Sequence, residues 1–196
     1  MSTHARSTVR RLSIVGAAVI LSAAVTRSAP AQTMMNAESA AEVRRLFVDD
    51  LDSLQARYLA LANAFPEDKY SWRPAPGVRS VGETFMHVAS EYYVYAPMAY
   101  GLAPSTVIAR GKPALAAFEK SSTRADVMKH LNEGFAFVRP LIADADIGKL
   151  TGKPRLFGGD RSIVETTMSM SADLHEHLGQ LIAYARINGI KPPWSK

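Results

Sequence analysis

Cysteine is absent from all 196 residues, which removes disulfides, zinc–thiolate sites and a cysteine nucleophile together. Any metal ion would have to be held by histidine and carboxylate. Long apolar runs are lacking too. The longest, Ile14 to Val25, falls short of the roughly 20 residues that span a bilayer, so a stable membrane anchor is not expected. A basic excess is largely missing once the first residues are set aside. Arg6, Arg10 and Arg11 before that apolar run, and Ala29-Pro30-Ala31 after it, read as a cleaved secretory signal over residues 1–31 and an exported, periplasmic or secreted protein. The Arg10-Arg11 pair also raises a twin-arginine route. Four of the 23 basic residues lie in that segment, leaving 19 against 18 acidic ones. A near-neutral remainder offers no basic face for nucleic acid.

What is present is helical periodicity. Val43, Leu46, Phe47, Leu51, Leu54, Tyr58, Leu61 and Phe65 recur in steps of three and four, predicting an amphipathic helix over 38–65. Pro66 ends it, and Trp72 to Gly77 reads as loop. Ser80-Val81-Gly82-Glu83 is a capping box opening a second helix to residue 95 or 100, depending on Pro97. A looser stretch over 103–120 precedes a third helix from Ser122 or Thr123, with Val127, Leu131, Phe135 and Val138 on one stripe and Pro140 kinking or stopping it. Residues 150–161, rich in proline and glycine, predict a connection with a small turn or hairpin. A second capping box, Ser162 to Glu165, opens a fourth helix that runs through Arg186 to a stop at Gly189. Residues 32–196 thus predict one all-α domain, a four-helix bundle.

Four histidines follow the signal segment: His87, His130, His175 and His177. His87 sits in the apolar run Thr84 to Ala89, where a histidine satisfied by a hydrogen bond is an ordinary core residue. In the fourth helix, Asp173 and His177 point about 40° apart, one turn along the axis, and can converge on one ion. His175 and His177 point about 200° apart and cannot, which leaves His175 as a solvent-exposed residue. A carboxylate and a histidine from one helix facing His87 from another make a three-ligand site with room for water or substrate. Glu91, one turn after His87, is a candidate further ligand or proton acceptor, or else a surface acid. Trp72, Tyr92, Tyr93 and Tyr95 would line a cavity or simply pack.

Tyr70-Ser71-Trp72-Arg73-Pro74 to Gly77, Ser80 to Glu83 with His87, and His177 to Gln180 with Tyr184-Ala185-Arg186, Gly189 and Pro192-Pro193 resemble the DinB-like superfamily. The resemblance implies an up-and-down four-helix bundle holding a divalent metal, zinc or nickel in many members, with ligands at His87, Asp173 and His177. Many members have histidine where this chain has Asp173, and a carboxylate there widens the candidates to manganese or iron. Thiol-dependent transfer in some relatives suits reducing cytoplasm better than an exported protein. Two readings follow: a metal-dependent hydrolase or transferase acting on a small molecule, or a non-catalytic bundle that binds metal or a small ligand. An apolar bundle face is compatible with a homodimer.

Overall fold

Helix α1, Ala37–Ala64, begins at an Asn36 cap whose side chain accepts from the Ser39 N–H, and it buries Leu51, Leu54, Tyr58 and Leu61 at the expected spacing. A computed structural model describes residues 36–99, 103–146, 148 and 162–195. The expected signal segment, residues 1–31, and the 150–161 connection lie outside these. All described elements are helical, with no strand among the described residues. The described residues belong to one compact unit.

Both capping boxes form as the sequence predicts. Ser80 and Glu83 cap α2, Val81–Tyr93, and Ser162 and Glu165 cap α6, Ile163–Ile187. The second helix does not run unbroken to residue 100: it ends at Tyr93, and a short α3, Tyr95–Ala99, carries Pro97. Pro140 does not stop the third long helix, α5, Arg124–Ala143, which extends beyond it. Along α5 the expected stripe is buried at Val127, Leu131 and Val138, whereas Phe135 is only partly covered. The stretch over 103–120 contains a helix that the sequence reading left out, α4, Lys112–Lys120, started by Gly111 at φ +107°.

Side-chain contacts fix how the helices run. The Tyr70 hydroxyl donates to the Ala62 carbonyl at 2.8 Å, and the Gly82 N–H donates to the Tyr70 carbonyl at 2.9 Å. The end of α1 therefore meets the start of α2. Arg124 reaches Asn63 while Arg139 grips Asp52, so α5 runs opposite to α1. Gly82 lies against Ser122 and Gly134 against Tyr92, so α5 runs the same way as α2. Arg79 meets Tyr184 and His87 faces His177, so α6 returns opposite to α2. The four long helices, α1, α2, α5 and α6, thus form the expected bundle with directions up, down, down, up. Strict alternation is precluded because α2 and α5 start at the same end, and α4 carries the chain back alongside α2.

Helices α1 and α2 face each other across the core, where Tyr58 and Phe65 meet Phe85 edge to face. Each large apolar side chain buried there contributes about 1.5–3 kcal/mol. By contrast the Arg139–Asp52 pair, at 42% exposure on both sides, is worth about 0–1 kcal/mol. The apolar seam, not surface pairing, holds the frame that places the site. No helix among the described residues is long and apolar enough to cross a membrane.

Close approach at the start of α2 makes one position sensitive. A methyl group on Gly82 would collide with the Ser122 backbone carbonyl, and backbone cannot yield as a side-chain tip can. Gly82→Ala is expected to lose about 1–3 kcal/mol of stability in urea unfolding. An unchanged midpoint would show that α2 and α5 do not pack this closely.

Candidate metal centre

Two histidines from opposite helices meet at a buried carboxylate. The capping box sets the register of α2, which turns His87 inward and places Glu91 one turn later on the same face. His87 Nε2 lies 3.2 Å from Glu91 Oε1, and His177 Nε2 from α6 lies 3.6 Å from the same oxygen. The imidazole rings stand at 88° with centroids 4.8 Å apart. One donor atom from each of His87, Glu91 and His177 lies within 4.8 Å of the others, a grouping that could hold a metal ion. Asp173 joins from the next turn of α6, its Oδ1 3.8 Å from His177 Nε2.

The four sequence candidates are therefore neighbours, but their settings differ. The Glu91 side chain is 12% exposed and lies between the rings, whereas Asp173 is 48% exposed at the rim. Glu91 is no surface acid. His175, on the outer face of α6, pairs with Asp50 at 2.9 Å, away from the cluster as helical geometry predicts. Of the aromatic candidates, Tyr92 and Tyr95 line the cavity beside the cluster, while Trp72 packs edge-on against Tyr184 and Tyr93 against Phe118.

The remaining imidazole nitrogens are also held. His87 Nδ1 pairs with Glu119 Oε1 at 2.7 Å, and Arg79 Nε donates to the other Glu119 oxygen at 3.1 Å. His177 Nδ1 meets Gln180 Oε1 at 3.3 Å, Gln180 Nε2 donates to the Tyr184 hydroxyl at 2.7 Å, and that hydroxyl donates to the Arg79 carbonyl at 3.3 Å. With an acceptor at each Nδ1, a ring made neutral by ligating an ion would keep its proton there and offer the Nε2 lone pair to the ion. That arrangement is the usual support for a metal-bound histidine. Glu119 was missed by the sequence reading because it belongs to α4; its only sequence signal is an acid at the end of a short Pro-started amphipathic stretch.

Electrostatics explain how this cluster survives without an ion. Burial alone would push the Glu91 carboxyl up, but interaction with His177, His87 and Asp173 outweighs it and brings the pKa down to about 2. Burial likewise pulls His87 down, yet Glu119 and Glu91 overcome it and raise the ring to about 9. His177 is raised, chiefly by Glu91. Burial and the adjacent Glu91 carboxylate push Asp173 up to about 6. Protons on the two imidazoles thus balance a carboxylate whose isolated burial would cost several kcal/mol.

A cation can replace those protons, and the donors fit one. Ligands about 2.1 Å from a tetrahedral ion lie about 3.4 Å apart, close to the 3.2, 3.6 and 3.8 Å separations here. The second Glu91 oxygen is buried without a hydrogen-bond partner, an acceptor left over for a cation. The cluster opens on a cavity of about 310 Å³ lined by His87, Glu91, Tyr92, Tyr95, Met170, Asp173 and Leu174, a volume at the low end for small-molecule sites.

The linkage gives a pH prediction for the metal-free protein. The His87 contribution is complete below its ordinary value of 6.5 and is lost as pH rises through about 9. The Asp173 contribution is complete below 3.8 and is lost as pH rises through about 6. The Glu91 contribution is complete above 4.5 and is lost as pH falls through about 2. Between pH 6 and 9 the cluster therefore weakens. Thermal melts of metal-free protein are expected to show that decline, and His87→Gln to flatten it; an equally steep decline in the variant would contradict the assignment.

A comparison with curated proteins gives no match. The family model for the DinB superfamily matches residues 50–181, a span that includes His87, Glu91, Asp173 and His177. With more than half of its length so matched, the chain belongs to the DinB superfamily.

Proposed function

We propose that this protein is a metal-dependent enzyme that carries out hydrolysis or nucleophile transfer on a small molecule. His87, His177 and Glu91 hold a divalent ion, with Asp173 at its open side. The observation that carries this reading is the paired orientation of the histidines: both Nε2 atoms face Glu91 while both Nδ1 atoms are held by Glu119 and Gln180. Nitrogen and oxygen donors in that mixture suit zinc or nickel, and the carboxylates also admit manganese or iron. The chemistry such an ion supplies is Lewis acidity, which polarises an oxygen and acidifies water or a thiol.

The chain's own residues divide the remaining work. Glu91, buried between the rings, is the carboxylate suited to ligation. Asp173, half exposed on the cavity wall, is suited to accept a proton from an incoming nucleophile. Tyr95, Met170 and Leu174 give the cavity an apolar side. The leader-like composition of the first 31 residues supports action after export, where water is a more available nucleophile than a low-molecular-weight thiol. A non-catalytic metal-binding bundle is the competing reading. A purely structural ion is enclosed by four protein ligands, and the cavity beside this cluster favours the enzyme.

Three measurements test the reading. Metal analysis of purified protein is expected to show one ion per chain, lost in His87→Ala, Glu91→Ala and His177→Ala, weakened in Asp173→Ala and retained in His175→Ala. Loss in His175→Ala with retention in His177→Ala would overturn the site. Zinc affinity is expected to rise with pH up to about 9, where the His87 proton no longer competes; a pH-independent affinity would show that these rings are not ligands. Glu119→Gln is expected to weaken zinc by about 10- to 100-fold at unchanged stoichiometry, read by chelator competition. Unaltered affinity would remove Glu119 from the support of His87.

A further inference from the structure

Tyr92 stands out among the groups that the proposed metal chemistry does not use. Its side chain is 1% exposed, and its hydroxyl is buried without a hydrogen-bond partner. Buried hydroxyls are nearly always satisfied, and burying one unpaired costs about 1–3 kcal/mol. Phenylalanine would fill the same space without that penalty. The ring is also closely accommodated. It packs against Gly134 of α5, where a Cβ would lie 3.1 Å from the Tyr92 ring, so the hydroxyl has little freedom to swing toward another partner.

The position of Tyr92 indicates what the hydroxyl is for. Tyr92 lines the cavity that holds His87, Glu91 and Asp173, and it also lines a narrow cleft behind, walled by Leu51, Leu54, Val138 and Ile142. The charges acting on it are Glu91 on the cavity side and Asp50 on the cleft side. Apart from the cluster itself, the cavity wall among the described residues is Tyr92, Tyr95, Met170 and Leu174. An anionic ligand would meet the Glu91 and Asp173 carboxylates there, with the ion itself to offset them. A neutral ligand with an apolar substituent would meet aromatic, thioether and leucine surface.

Resting on the metal reading above, we infer that Tyr92 is a substrate-binding residue whose hydroxyl donates a hydrogen bond to the carbonyl-type oxygen of a small uncharged substrate. The oxygen lies between Tyr92 and the cluster, and the short apolar substituent of the substrate lies against Tyr95, Met170 and Leu174. The hydroxyl is then satisfied only in the complex. This separates Tyr92 from a structural tyrosine, whose hydroxyl would be paired in the free protein. Tyr93, one residue on, has such partners in His130 and Glu133.

Calorimetric titration of zinc-loaded full-length protein with acetamide and butyramide tests the inference. These probes are uncharged near neutral pH, carry a carbonyl oxygen and differ only in apolar length. Affinity is expected to increase from acetamide to butyramide. Tyr92→Phe is expected to weaken every probe by about 3- to 10-fold, with zinc affinity unchanged and the melting temperature of the ligand-free protein equal or higher. Tyr93→Phe is expected to leave probe binding unchanged. Equal binding by Tyr92→Phe and wild type would overturn the inference, as would a lower melting temperature for ligand-free Tyr92→Phe, which marks a structural hydroxyl. Wild-type protein that fails to bind zinc would overturn the metal reading and this inference with it. Zinc binding without any amide binding would overturn this inference alone.

Discussion

A single carboxylate, Glu91, sets the terms for the middle of this bundle. Ionised and largely buried, it is tolerable only because imidazoles from two antiparallel helices approach it together. Neither α2 nor α6 could carry the arrangement alone, since His87 and Glu91 come from one and His177 from the other. The site is therefore a property of the tertiary fold. Its charge balance can be met by protons or by a divalent ion, and exchange of one for the other is what makes the cluster chemically useful.

The same interaction explains the layout around it. Arg79, immediately before the α2 cap, supports both histidines: its guanidinium holds Glu119 against His87, and its carbonyl receives the Tyr184 hydroxyl that positions Gln180 beside His177. Trp72 packs on Tyr184, which ties the loop before α2 to the same network. The long return through α4, required by the shared direction of α2 and α5, delivers Glu119. An alternating bundle with a short connection would have no element in that place. The topology and the support of the site are thus linked through one short helix.

Much of this was legible from local pattern. The apolar spacing of α1 from Leu51 onward, the two capping boxes and the Gly189 stop correspond to physical events at single helices, and the structure shows each where the sequence predicts it, whereas Leu46, earlier on the same stripe, is exposed. The angular argument that sends His175 outward also rests on one helix alone. Less was legible wherever the answer depended on packing between helices. Glu91 and Asp173 are both acids near histidine in sequence, and only the meeting of α2 with α6 makes one buried and the other half exposed. Helix α4 is short and buries no residue fully, so its amphipathic pattern does not stand out and its contribution of Glu119 is invisible. The shared direction of α2 and α5 likewise follows from how far the chain must travel between them, which periodicity does not encode.

X-ray absorption at the zinc edge of the zinc-loaded protein tests the central claim most directly, because it counts imidazoles at the ion whatever the reaction. The account predicts outer-sphere scattering from two imidazole rings, with the rest of the coordination supplied by oxygen. It also predicts one imidazole in His177→Ala reconstituted with excess zinc, and an unchanged spectrum in His175→Ala. A wild-type spectrum with only oxygen ligands, or one whose imidazole scattering depends on His175, would contradict it.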